Sequence, residues 1–481
     1  MSEIPSLWEH QSRAVERAKN ERDLALFFDM GTGKTATAIH ILRHHLNKNG
    51  KMLRVLILAP AAVLKNWENE IGIHSSIPLG YVDALVGTGQ KRTRAVIQKT
   101  FDQDEGEYSK PGVAIINYEA LQRKDILETF KMWRPQILIC DESHRLKNFA
   151  AKRTKAVAQL ADRAEHRYIL TGTPIVNSVM DIFGQFRVLD CGDTFGKNQY
   201  VFKHAYMYDA NASWSHKPTY FPDWRPRTDA FDELNALIEK KSMKIDKHEC
   251  LDLPPLVEKT IETELASDQW KAYRAMRDDY IAFIEKEHTE PDAVVATQAL
   301  TKVLRLQQIA SGFYKTEDGE IKRFKSVPRL SALSDLLEDY TKGDKVIVWA
   351  AFKENYAMIG EALEKKGIKH VFLTGEQDSK SKQESIDAFQ TDDSVRVLVG
   401  NRKAGGIGVN LTAASVSIVY SRSFSLEEEE QSKARNYRSG SECHEKIYKI
   451  DLVCPGTLDE DVLKALKNKQ DVAREVLKWQ V

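Results

Sequence analysis

Continuous apolar runs alternate with amphipathic stretches through the first part of the chain. The runs 24–28, 55–59, 113–117, 137–140 and 168–171 are too short for helices and read as strands buried on both faces. Between them, 64–71, 120–130 and 152–160 carry apolar residues at helical spacing. That alternation predicts a parallel sheet covered by helices. From about Cys191 to Val327 the pattern changes. Aromatic and polar residues crowd 200–224, and long helical patterns follow at 231–241, 267–287 and 294–309. The stretch 218–226 and the Pro254-Pro255 step read as irregular connections. After Pro328 alternation resumes, with strand candidates at 346–350, 371–374, 395–399, 416–420 and 447–453. The expected fold class is α/β: two tandem parallel-sheet lobes, 1–190 and 328–481, with a helical insertion and linker over 191–327.

Composition changes this picture little. A chain of 481 residues has room for two or three domains with cores of their own. Lysine plus arginine balance aspartate plus glutamate at 70 each, so no global basic field points to nucleic acid, although a basic groove on one face remains open. The cysteines (Cys140, Cys191, Cys250, Cys443, Cys454) form no Cys-x-x-Cys pair. A zinc module is therefore not expected, and a reduced cytosolic setting fits. Met1-Ser-Glu-Ile-Pro5 lacks the build of a signal peptide, and the longest apolar stretch, 55–64, is too short to cross a bilayer. The expected localisation is cytoplasmic, in a bacterial or phage-infected host cell.

The chemistry begins at Asp29-Met-Gly-Thr-Gly-Lys-Thr35, between a strand candidate and a helical pattern. Strand, glycine loop and helix are the context of a phosphate-binding loop. Gly31 and Gly33 let backbone N–H groups approach phosphate oxygens, and the helix N-terminus adds its positive dipole end. Lys34 would reach the β- and γ-phosphates, and the Thr35 hydroxyl would ligand Mg²⁺. The full pattern asks for a glycine where Phe28 stands, and the loop taken alone also reads as a simple glycine turn. Asp141 and Glu142 end an apolar strand, where open parallel sheets place ligands. Asp141 would hold Mg²⁺ and Glu142 would orient and deprotonate an attacking water. Taken alone, two adjacent acids also read as a solvated loop.

In order along nearly the whole chain, these segments resemble the motifs of the Swi/Snf-type ATPases of helicase superfamily 2. Leu7-Trp-Glu-His-Gln11 resembles the glutamine motif, Asp29–Thr35 motif I, and Ala59-Pro60 with Leu64-Lys-Asn-Trp67 motif Ia. Asn117-Tyr-Glu119 resembles the next DNA-contacting motif. Asp141-Glu-Ser-His144 resembles motif II, and Leu170-Thr-Gly-Thr-Pro174 motif III. In the second block, 346–352 resembles motif IV, 401–411 motif V, and Gln431, Arg435, Arg438 and Gly440 motif VI. Ala434, Ser441 and Lys403 depart from the usual residues of motifs V and VI. Leu253-Pro-Pro255, Gln269, Tyr273 and 304–308 resemble the helical protrusion of these motors.

The resemblance implies two RecA-like lobes of the P-loop NTPase class and a DNA-dependent ATPase using ATP and Mg²⁺. ATP would lie on Gln11, reading the adenine edge, and on Met30, Gly31, Thr32, Gly33, Lys34, Thr35, Asp141 and Gly408. Thr171 and Thr173 would couple nucleotide state to lobe position. Arg435 and Arg438, three apart and so expected on one helix face, would act as arginine fingers on the γ-phosphate. The implied partner is double-stranded, possibly branched, DNA, tracked without reading sequence by a monomeric motor. Lys65, Asn66, Arg145, Lys147, Lys403 and Asn410 are its candidate backbone contacts. Basic clusters at 91–94 and 322–325 read more readily as solvated loops. Trp214, Tyr220, Phe221 and Trp224 could stack on unpaired bases or simply pack. Other activities consistent with the motifs are strand separation, fork reversal or annealing, and nucleotide-switched remodelling of a protein–DNA complex. The absence of a recognisable histone-reading, zinc or nuclease module leads us to expect a minimal motor rather than a chromatin remodeller.

Overall fold

The apolar runs of the first block form strands β1 (Asp23–Phe28), β2 (Arg54–Ala59), β4 (Gly112–Asn117), β5 (Ile137–Asp141) and β6 (His166–Leu170) in a computed structural model of the protein. The structure describes residues 4–214, 222–286, 293–316, 318–404 and 409–477. Two strands without a continuous apolar run complete this sheet, β3 (Val82–Ala84) and β7 (Ser242–Ile245), one at each edge. The order is β3-β4-β2-β5-β6-β1-β7 and every pairing is parallel. Register sets Leu26 beside Leu170 and Leu58 beside Cys140, so the apolar runs lie flush. Phe27, Leu56, Leu58, Leu138, Cys140 and Ile169 are fully buried in one core, which is why these strands read as unbroken apolar segments.

Helices pack on this sheet where the spacing predicts them. The expected helix over 120–130 is preceded by a 3₁₀ turn, Tyr118–Gln122, and runs Lys124–Trp133. The helix Lys34–Asn49 ends at Gly50 in the left-handed conformation, φ +66°, whose N–H bonds the Leu46 carbonyl.

The second sheet contains β8 (Leu256–Glu262), β9 (Lys345–Trp349), β10 (His370–Leu373), β11 (Val397–Gly400), β12 (Ala414–Val419) and β13 (Ile447–Val453). Its order is β8-β13-β12-β9-β11-β10, again all parallel. Val348, Val399, Ile418 and Ile450 lie in its core. β8 falls where the pattern suggested only a helical insertion. It is an edge strand, and its exposed Glu258, Lys259 and Thr260 hide it from any apolar-run criterion.

By internal contacts the chain divides into two units. The first holds Met1–Tyr208, Trp224–Leu251 and Lys469–Val481; the second holds Asp209–Asp223 and Asp252–Asn468. The segment 191–327, expected as one insertion, is thus shared: it contributes an edge strand to each sheet as well as the helices Phe231–Lys241, Ser267–Lys286 and Ala293–Ala310. The last residues of the expected second lobe belong to the first unit, where Val476 and Leu477 are buried in its core. No helix among the described residues is long and apolar enough to cross a membrane.

Candidate active site

Parallel strands deliver their carboxyl ends to one edge of a sheet. In the first unit that edge brings together the loops after β1, β5 and β6. The loop after β1 is braced by its own atoms. The Asp29 carboxylate accepts the Met30 N–H (2.7 Å), and the Thr32 hydroxyl donates to the Asp29 carbonyl (2.7 Å). Lys34 Nζ folds back to donate to the carbonyls of Phe28 (2.8 Å) and Asp29 (3.1 Å). Gly33 has φ +81°, and a Cβ there would fall 2.0 Å from Gln11 Nε2. Gln11 Nε2 itself donates to the Thr32 carbonyl (3.2 Å), and its Oε1 accepts the Trp8 N–H (2.9 Å). The structure therefore sets Gln11, expected at an adenine edge, against the phosphate loop. Beside it a cavity of about 250 Å³ is lined by Trp8, His10, Arg13, Ile245, Glu249 and Cys250, among others. Met30, Gly31 and Thr35 are half-buried on the same loop, and Thr32 is buried.

At the end of β5, Asp141 and Glu142 are 7% and 4% exposed. Asp141 accepts the Trp67 indole N–H (2.8 Å) and the Glu142 N–H (2.9 Å), and its own carbonyl accepts the Tyr118 hydroxyl (2.6 Å). Burial, reinforced by the neighbouring Glu142, raises the Asp141 carboxyl above the ordinary carboxylate range, while Trp67 and Lys34 oppose the shift. Glu142 stands at φ +48°, an uncommon conformation for a residue with a side chain, and such outliers cluster at functional sites. Its Oε2 lies 3.3 Å from His144 Nδ1, and that nitrogen is 3.2 Å from the Thr171 hydroxyl. Thr171 Oγ1 also accepts the Thr173 N–H (3.1 Å). The loop after β6 is tied to the acidic tip a second time: the Ser143 hydroxyl donates to Gln185 Oε1 (2.8 Å), and Gln185 Nε2 donates to the Pro174 carbonyl (2.6 Å). A movement at the acidic tip therefore has a direct route to 171–174.

Two adjacent buried carboxylates and the Thr35 hydroxyl are hard oxygen donors of the kind Mg²⁺ takes when phosphates and water supply the remaining ligands. Among the described residues there is no cluster of three or more His, Cys, Asp or Glu that could hold a metal ion. The residues present fit Mg-ATP.

In the second unit, Arg435 and Arg438 do not share a helix face. The helix Leu426–Lys433 ends before them, and they sit in the turns that follow. The Leu411 N–H takes the Arg435 carbonyl (2.9 Å), drawing the backbone towards the motif V segment. Arg435 Nη2 donates to the Arg402 carbonyl (2.7 Å), and its guanidinium lies 5.4 Å from the Trp349 ring centre. Burial lowers both guanidinium pKa values, that of Arg435 to about 10, so both stay charged at neutral pH. Among the described residues, Nε and Nη1 of Arg435 and Nε of Arg438 are buried without a hydrogen-bond partner, an arrangement that favours an anion. Gly408 lies outside the described residues.

The candidate DNA contacts are mostly superficial. Lys65 and Asn66 are exposed on the helix Leu64–His74, and Lys65 pairs with Glu68 (2.6 Å). Arg145 reaches Glu119 (3.2 Å), and Lys147 is half-buried nearby in sequence. In the second unit Lys403 pairs with Glu428 (3.0 Å), and Asn410 Oδ1 accepts the Thr412 N–H (3.0 Å). Exposed pairs of this kind cost little to exchange for phosphate. Of the aromatic candidates, Tyr220 and Phe221 lie outside the described residues, and Trp224 lies under the Lys203 ammonium (3.7 Å to the ring centre).

Sequence reasoning missed the side chains that hold the site's groups in place. Trp67 was visible only as part of a backbone-contacting segment. Tyr118 and Arg402 were visible only as members of motif segments, and Gln185 and Glu429 not at all, because only the fold brings them to their partners.

Comparison with known proteins gives two family matches: the SNF2-related domain over residues 10–313 and the helicase conserved C-terminal domain over residues 328–440. An uncharacterized ATP-dependent helicase of Mycoplasma genitalium is 24% identical over 492 aligned residues, covering 99% of this chain and 43% of that protein. A CHD3-type chromatin-remodeling factor of Arabidopsis thaliana is 25% identical, covering 92% of this chain and 34% of that protein. The chain thus spans less than half the length of these relatives. Among solved structures, the SWI2/SNF2 ATPase core of Sulfolobus solfataricus in complex with dsDNA is similar at 23% identity and a TM-score of 0.43, covering 99% of this chain and 98% of that one.

Proposed function

The chain belongs to the SNF2-related family, and on that premise we propose that it is an ATP-driven motor that couples hydrolysis to movement along double-stranded DNA. The observation that carries the reading is the buried Asp141–Glu142 pair beside the Lys34 loop: adjacent acids at this depth are costly unless a cation and a nucleotide complete them. Asp141 and Thr35 would hold Mg²⁺, and the bound ion would polarise the phosphoryl group and neutralise developing charge. Lys34 exchanges the Phe28 and Asp29 carbonyls for phosphate oxygens. Glu142 orients the attacking water and takes its proton. Arg435 and Arg438 donate to the γ-phosphate in the transition state, with Gly408 and the loop residues 30–33 lining the nucleotide. Thr171 and Thr173, linked to Glu142 through His144, pass the change at the acidic tip to the loop after β6.

Lys65, Asn66, Arg145, Lys147, Lys403 and Asn410 would grip the phosphate backbone, so affinity should fall steeply with salt. The test is ATP hydrolysis by the purified chain with duplex, forked, single-stranded DNA and RNA compared at fixed salt. Duplex stimulation that disappears in Lys34→Ala supports the reading. Strong turnover by that variant, or none by the wild type with any nucleic acid, sinks it. Displacing a triplex strand without separating the duplex distinguishes translocation from unwinding.

A further inference from the structure

We propose that the buried Arg402–Glu429 ion pair is a positioning device for Arg435, and so sets turnover rather than stability. The proposal rests on the reading of Arg435 as a group acting on the nucleotide.

The one hydrogen bond described for the Arg435 guanidinium goes to a main-chain atom, the Arg402 carbonyl at 2.7 Å. The position of residue 402 therefore helps to set that of the guanidinium, together with the Trp349 ring 5.4 Å away. Residue 402 is in turn fixed by its own side chain, which is 4% exposed and ion-paired with Glu429. Glu429 is on the helix Leu426–Lys433, immediately before the turns that carry Arg435. The pair is pinned to the sheet as well. Lys449 of β13 lies 2.8 Å from Glu429 Oε1 and also faces Asp451 (3.3 Å) and Glu258 (3.7 Å), while Arg422 holds Asp451 at 2.8 Å. Two routes from Arg435, one through the Arg402 carbonyl and one through the helix, thus converge on one carboxylate.

Energetics point the same way. A buried ion pair is about neutral against a well-packed apolar pair of similar size, so stability does not account for placing four charges here. Specifying geometry does. A displacement of about 1 Å at a catalytic group costs on the order of 10²-fold in rate.

The experiment uses the double substitution Arg402→Met with Glu429→Gln, which removes both charges together and leaves Lys449 its contacts with Asp451 and Glu258. Arg402→Lys is the conservative companion, keeping a charge opposite Glu429. For each, the melting midpoint, ATP affinity and DNA-stimulated kcat and KM are measured beside Arg435→Ala. The expected result is a double variant that melts and binds ATP as the wild type does, with kcat lower by about tenfold to a hundredfold, and partial recovery of kcat in Arg402→Lys. A kcat within about twofold of wild type in the folded double variant overturns the proposal, as does a kcat that simply tracks melting midpoint across the series. If Arg435→Ala itself turns over normally, the parent reading of Arg435 has failed, a result distinct from failure of the pair.

Discussion

The two sheets share an all-parallel architecture but treat charge at their functional ends in opposite ways. In the first unit, Asp141 and Glu142 lie side by side in a buried tip, and the Asp141 carboxyl is raised because burial and a like-charged neighbour both penalise ionisation. In the second, burial alone would raise the Glu429 carboxyl, yet Arg402, Lys449 and Arg422 overcome it and hold the group well below the carboxylate range. In the first unit the Asp141 carboxyl stays raised even though Trp67 and Lys34 oppose the shift, which suits a tip that we propose receives Mg-nucleotide. The second pairs Glu429 internally, and among the described residues Nε and Nη1 of Arg435 and Nε of Arg438 are buried without a hydrogen-bond partner. The difference is one of role. On the proposed reading, the raised acid belongs to the nucleotide site and the paired acid to the scaffold that places the arginines.

The sharpest way to break this contrast is at Glu142. Glu142→Gln keeps shape and hydrogen-bonding capacity but cannot take a proton from water. We expect ATP binding to persist and DNA-stimulated turnover to fall by about 10²–10⁴-fold. A variant that hydrolyses ATP within tenfold of wild type would remove Glu142 from the chemistry and leave the acidic tip as a structural feature.

The contrast also predicts opposite signs for neutralising an acid in each unit. Glu429→Gln leaves Arg402 buried without its partner and should cost the second unit about 3–5 kcal/mol, read as a shift in the urea midpoint. Asp141→Asn removes an ionisation that the fold penalises, and should raise the melting temperature of the nucleotide-free protein. The pH dependence follows from the same signs. Asp141, with its pKa raised above the ordinary 3.8, binds a proton in the folded state where the unfolded chain has lost it. Its contribution to stability therefore grows as pH falls from the raised value towards 3.8. Glu429, depressed from 4.5, contributes fully above 4.5 and loses that contribution as pH falls towards its folded value. Destabilisation by both substitutions, or by neither, would dissolve the distinction.

These differences explain how much of the molecule its sequence revealed. The strands β1, β2, β4, β5 and β6 were legible because each is an apolar run buried on both faces, and the loop at 29–35 because phosphate binding needs glycines and a lysine at fixed spacing. The edge strands β3, β7 and β8 were not, being three to seven residues long and interrupted by polar residues. At the site, the residues proposed to touch the nucleotide follow motif spacing, whereas the contacts of their supports cannot be read from it. Trp67 is 74 positions from Asp141, and Lys449 lies beyond the last motif yet faces Glu429. Arg435 and Arg438 show the limit of periodicity. Spacing of three suggested one helix face, but the Leu411 N–H captures the Arg435 carbonyl and the chain leaves the helix first.

A smaller effect is expected at Gly33. Alanine there must adopt φ +81°, which costs about 1–2 kcal/mol for a residue with a Cβ, and must displace the Gln11 amide. Gly33→Ala should therefore weaken ATP binding by roughly tenfold or more, the affinity equivalent of that cost, and leave the second unit's denaturation unchanged. Unchanged affinity would mean that the loop's closed form is not the one that binds.

The smallest effect tests whether the first unit's acid response belongs to its site at all. His45, on the helix Lys34–Asn49, is 3% exposed; its Nε2 lies 2.7 Å from the Tyr168 hydroxyl, and its ring centre lies 4.1 Å from that of His166, tilted by 37°. Burial first, then His166, lowers its pKa from 6.5 to about 4. Between those values the unfolded chain holds more protons than the folded one, so this group's contribution is full above pH 6.5 and is lost as pH falls towards 4. The slope, on the order of 1 kcal/mol per pH unit, opposes that of Asp141. His45→Gln keeps a hydrogen-bonding partner for Tyr168 but cannot titrate. Its melting temperature should fall less than that of the wild type on acidification from about pH 7 to about pH 5, with a residual fall from His40, which burial also lowers to about 4, and from the lowered His44 and His166. A variant whose melting follows the wild-type curve would show that the histidine contributes nothing there.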